Sequence, residues 1–185
     1  MSAHARPHAL IFAALGLASG IVSAMLDVTR PLDPLQPVAA VFWLHPSLLP
    51  VGCAFALAMA VGAWTALRRW PAVLLVALAT LYAWSGAVHI AIRLQRNAGD
   101  DAHLLAAGLG AGAFGAGVVA AAFAVFAPAL RALRPLALIC FVGAAAGLLF
   151  WAGERGLIDR RALFVIWQWT VAAAIGLGLD QAMRR

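Results

Sequence analysis

Apolar residues run along this chain in six blocks, at 9–26, 38–67, 71–92, 102–127, 135–152 and 162–179, parted by short links that carry Arg, Asp or Pro. Each block can cross a hydrocarbon layer, which takes about 20 helical residues. The second block is too long for one crossing and contains Pro46 and Pro50. Proline removes a backbone donor and collides with the preceding turn. We therefore read 38–44 as a short interfacial piece, with Trp43 and His45 at the headgroup boundary, and 47–67 as the spanning helix. The pattern predicts an all-α polytopic membrane protein: one domain over 1–185, a bundle of six transmembrane helices with spans 9–26, 47–67, 71–92, 102–127, 135–152 and 162–179. Arg6 followed by an apolar stretch and Val22-Ser23-Ala24 also has the layout of a secretory signal. An apolar core of about 18 residues exceeds the usual signal core of about 7–15, so the block reads as a retained first helix.

Composition removes the soluble alternative. The chain is 65% hydrophobic and 11% charged, with a mean hydropathy of +0.95, whereas soluble domains are about half apolar and a quarter charged. Too few polar residues exist to clothe a soluble core, so most of the surface must face lipid. All 13 basic residues are Arg, against 7 acids, for a formal net charge of +6. In a soluble protein that balance would point to nucleic acid. Here the arginines stand singly or in pairs at the ends of apolar runs, as membrane anchors do, and no nucleic-acid partner is expected. An arginine-only basic set with alanine-rich helices fits a GC-rich bacterial genome, hence an inner membrane. Six crossings put Arg6, Arg68, Arg69, Arg131, Arg134, Arg184 and Arg185 on one side. Arg30, Arg93, Arg96, Arg155, Arg160 and Arg161 fall on the other, among Asp27, Asp33, Asp100, Asp101, Glu154 and Asp159. The positive-inside rule makes the first side, with both termini, cytoplasmic.

Three small-xxx-small pairs, Gly16/Gly20, Gly108/Gly112 and Gly143/Gly147, let helix backbones approach closely where lipid supplies no hydrophobic drive. They serve packing within the bundle or a homo-oligomer face. Around Gly112 the glycine-dense stretch 108–117 also offers a groove for a ligand tail. Candidate chemistry is sparse. Asp27, Arg93, Asp101, Glu154 and Asp180 fall at segment ends, not at depth where a buried charge marks function. The histidines make no HExxH and no cluster with carboxylates, and Cys53 and Cys140 give neither a disulfide framework nor metal spacing. His89, His103 and Ser85 come nearest to the zinc site of a ceramidase-like hydrolase. Trp43, Trp64, Trp70, Trp84, Trp151, Trp167 and Trp169 invite comparison with the tryptophan-rich sensory proteins, but most fall where an aromatic belt would put them. No catalytic residue, metal or cofactor is expected; the rival reading is a membrane enzyme or small transporter.

Five stretches resemble the Insig family, six-helix endoplasmic-reticulum sterol sensors with smaller bacterial relatives. Leu26-Asp-Val-Thr-Arg-Pro-Leu32 is similar to the family's Leu-Gln-Ile-Gln-Arg-Asn-Val, and Phe42-Trp-Leu-His-Pro46 to Trp-Trp-Val-Pro-Pro. From His89, His-Ile-Ala-Ile-Arg-Leu-Gln-Arg-Asn sets without a gap against His-Ala-Ser-Ala-Lys-Val-Asp-Phe-Asp, and the register holds through Leu109. Leu148-Leu-Phe-Trp-Ala-Gly153 and Leu163-Phe-Val165 resemble Leu-Leu-Val-Tyr-Asn-Gly and Leu-Tyr-Val at the same spacing.

The resemblance implies a non-catalytic sensor whose cavity holds one membrane lipid, sterol-like or diacylglycerol-like, by apolar walls and a small polar contact. In the ungapped register the family's sterol-facing positions fall on Trp84, Asp101 and Phe114. Asp101 would accept a hydrogen bond from a ligand hydroxyl. The family's acidic position tied to partner retention falls on Val118, and the acidic residue after its third helix on Gln95, so retention of the animal type is not implied. Residue-specific labelling from either side of the membrane is expected to place Arg68/Arg69 and Arg131/Arg134 on the cytoplasmic face; their appearance on the far side would reverse the orientation.

Overall fold

In a computed structural model, which describes residues 8–26, 36–43, 46–96 and 100–182, the protein is 91% helical with no strand among the described residues. Its helices are α1 (His8–Met25), α2 (Gln36–Val41), α3 (Leu49–Leu67), α4 (Trp70–Arg96), α5 (Asp101–Phe126), α6 (Leu133–Glu154) and α7 (Arg161–Ala182). Among the described residues six, all but the short α2, are long and apolar enough to cross a membrane. The expectations placed on Arg6, His45, Arg184, Arg185 and most of 26–32 lie outside the described residues.

Local chemistry sets the breaks. A 3₁₀ turn at Pro46–Leu48 precedes α3, whose first turn holds Pro50. Proline is tolerated there because first-turn N–H groups have no intrahelical partner. α3 ends at Arg68, whose left-handed φ of 53° lets its N–H bond to the Trp64 carbonyl at 3.1 Å. Its guanidinium then lies 5.9 Å from the Trp64 ring, which packs against Trp70. Asp100 caps α5 by accepting from the His103 N–H at 3.1 Å. Hydrogen bonding from the His103 ring, then from its backbone N–H, holds the Asp100 carboxyl below its ordinary range.

The six long helices form a ring. Each packs antiparallel on the next, α1 on α3, α3 on α4, α4 on α5, α5 on α6 and α6 on α7, and α7 closes back on α1. Two seams are backbone to backbone. Gly16 and Gly20 of α1 face α7, where an added Cβ would come within 2.7 Å of Ala172 Cβ and 2.6 Å of Val165 Cα, respectively. Gly108 and Gly112 of α5 face Gly147 and Gly143 of α6, and a Cβ on either would collide with the opposing carbonyl oxygen. The glycine pairs read from the sequence thus serve packing within this ring. Asp180 of α7 adds a cap to the first seam: its carboxylate accepts from the backbone N–H of His8 at 2.8 Å and of Ala9 at 3.0 Å.

The two ends of the ring differ. Where α1 begins and α7 ends, large inward side chains fill the centre: Phe12, Met59, Val76, Phe123, Ile139 and Ile175 are fully buried, with Phe12 and Phe123 edge to face at 5.5 Å. Towards the other end the inward positions of α4 and α5 are Ala83, Ala87, Ala91, Gly108, Ala111 and Gly112. These do not fill the ring. The α5–α6 seam makes a sharp prediction. Gly112→Ala should lower the detergent or thermal unfolding midpoint by a stability equivalent of about 1–3 kcal/mol. Gly110→Ala, whose Cβ would meet only Ile90 Cγ2 at 3.6 Å, should leave it within about 0.5 kcal/mol of wild type.

Candidate ligand cavity

The space left by those small residues is a cavity of about 280 Å³ inside the ring. α3 to α7 contribute its wall. Trp84 of α4 reaches across: its indole N–H donates to the Leu48 carbonyl at 3.0 Å, its ring lies over Gly52 and its edge meets Phe164 of α7 at 5.8 Å between centroids. Gly52 is required for that pose, since a Cβ there would come within 2.5 Å of the indole. Trp167 of α7 faces Trp84's side of the cavity, stacks edge-on against Phe55 at 5.5 Å and donates to the Gly143 carbonyl at 3.1 Å. Above Trp84, α2 and its turn cover α4: Phe42 packs on Tyr82, and Ser85 Oγ donates to the Phe42 carbonyl.

Five lining side chains carry polar atoms: Thr80, Trp84, Gln95, Trp167 and Gln168. Thr80 donates to the Val76 carbonyl at 2.7 Å, and Gln95 Nε2 to Glu154 at 2.8 Å. Gln168, 2% exposed, donates to Ser23 Oγ of α1 at 3.0 Å, and Ser23 in turn donates to the Val51 carbonyl of α3 at 3.5 Å. A buried polar strand thus links α7, α1 and α3. Beyond the cavity a wider depression of about 520 Å³ shares Leu48, Phe150, Leu163 and Phe164 with it and reaches Glu154, Asp159, Arg160 and Arg161 at the end of the bundle. The apolar chamber and the charged depression thus share one wall.

Trp84 and Gly112 line this cavity; Asp101 and Phe114, the other two residues expected on the ligand, do not. Asp101 opens α5 at the outer rim, where it accepts from Trp151 Nε1 at 2.9 Å and pairs with Arg155. That carboxylate is committed to its neighbours on α6. Phe114 lies on the outer side of the α4–α5 seam, half exposed and seated on Gly86, where a Cβ would displace it. A contiguous alignment carries residue numbers across but not the helix rotation, and Phe114 falls half a turn from Gly112. Trp167, read as part of the aromatic belt, is instead a wall residue.

His89, His103 and Ser85 do not converge. The His89 ring bonds to the Ser85 carbonyl of its own helix at 2.9 Å, and the His103 ring to Asp100 at 2.6 Å. Among the described residues no group of three His, Cys, Asp or Glu side chains is placed to hold a metal. Gln168, the buried amide on the wall, carries no charge, so a rule that looks to buried charges does not reveal it; its signal in the sequence is an amide within the apolar block 162–179. No family model, no curated protein and no solved structure matches the chain.

Proposed function

We propose that this protein binds one membrane lipid, held inside the helix ring with its apolar body against Trp84, Trp167 and the alanine and glycine faces of α4 and α5. The cavity itself carries the reading. The pocket, about 280 Å³, is partly open and walled almost wholly by apolar side chains, which is the character of a site for an apolar ligand, and the surrounding bilayer supplies lipid at high concentration.

The protein acts in this reading as a binder or sensor, not a catalyst, in a bacterial inner membrane with both termini cytoplasmic. Each polar side chain on the wall already donates to a protein acceptor, which leaves apolar contact as the main work of the walls. The Insig-like stretches support a sterol-like or diacylglycerol-like ligand, and both glycine seams lie within the one chain, so a homo-oligomer would use other faces.

Lipid retained per chain after purification, measured by mass spectrometry, tests the proposal. Trp84→Ala and Trp167→Ala each remove part of the about 150–250 Å² that an indole buries, and each should weaken retention about tenfold. Phe114→Ala and Trp70→Ala, outside the cavity, should retain lipid as wild type does. Equal retention by all four variants, still folded, would remove the cavity as the site.

A further inference from the structure

Gln168 holds its side chain at the cavity wall by one end only. The amide nitrogen donates to Ser23 Oγ, and Ser23 in turn to the Val51 carbonyl. Its other end, Oε1, is buried and has no hydrogen-bond partner, the only such side-chain atom among the described residues. An unpaired acceptor in an apolar interior is costly, whereas the same acceptor with a donor is not. The four other polar side chains on the wall present donors already joined to Val76, Leu48, Glu154 and Gly143. Gln168 Oε1 is therefore the buried acceptor on this wall that a donor would satisfy.

We infer that Gln168 selects the ligand, its Oε1 accepting a hydrogen bond from a hydroxyl on an otherwise apolar lipid. The inference rests on the cavity being a lipid site. A lipid alcohol satisfies Oε1. An ether or ester of the same shape leaves it unpaired and sets a second acceptor beside it, so the site discriminates against the analogue that lacks the proton. A charged head is disfavoured at this depth, because no side chain on the cavity wall carries a charge to offset its desolvation. The charged depression at Arg160 and Arg161 lies beyond the apolar walls and plays no part in this contact.

Equilibrium binding of 1-hexadecanol and of 1-methoxyhexadecane to the delipidated full chain, in the same detergent at equal mole fraction, tests the assignment. Wild type should prefer the alcohol about tenfold, the effect of one buried hydrogen bond. Gln168→Met keeps the volume and removes the acceptor. It should bind both probes alike, with ether affinity no weaker than wild type, which also shows that the variant is folded. A wild type that binds both probes equally, or a Gln168→Met that keeps the alcohol preference, overturns the role of Gln168 and leaves the cavity reading standing. Failure of wild type to bind either probe overturns the cavity reading, and this inference with it.

Discussion

The structure depends on how close two helix backbones can come when the solvent is as apolar as the side chains. Burial gives no drive between helices in lipid, so contact must come from dispersion and shape. Glycine at Gly16, Gly20, Gly108, Gly112, Gly143 and Gly147 removes the side chains that would hold α1 off α7 and α5 off α6. These seams fix two sides of the ring. Around the rest of it the spacing is set by bulk, as where Trp84 rests on Gly52, and the interior is filled or left open according to the size of the inward residues. Phe12, Met59, Phe123 and Ile139 close one end; Ala83, Ala87, Ala91 and Ala111 leave the other hollow.

The polar contacts sit where that geometry would otherwise leave backbone or amide groups stranded. Asp180 satisfies the first N–H groups of α1 from the far end of the chain, and the Ser23–Gln168 bond ties the same two helices near the cavity. The closing seam of the ring is thus pinned at both levels, by a carboxylate at the rim and an amide inside. Through Ser23 and Val51 the cavity wall is joined to α1 and α3.

Much of the fold was legible because its signal is strong: six apolar blocks with charged or proline-bearing ends can do little else than cross a bilayer. The proline break before α3 and the glycine pairs were readable for the same reason, each having a single steric meaning. The site was only half legible. In a soluble helix one polar face reveals which residues point inward, but these helices are apolar all round, so rotation leaves no trace in the sequence. Trp84 and Gly112 fell on the cavity, whereas Phe114, on the same helix as Gly112, faces outward and Asp101 is held at the rim by Trp151 and Arg155. Trp167 looked like any interfacial tryptophan until its neighbours Phe55 and Gly143 were placed beside it.

The central claim is that the hollow half of the ring is a lipid site. A density map of the wild-type protein, extracted and imaged with its native lipids, tests it most directly. The account predicts elongated non-protein density between Trp84, Trp167 and Gly112, with its polar end within hydrogen-bonding distance of Gln168 Oε1. A ring that closes on itself, with these side chains filling the space and no density between them, would contradict it.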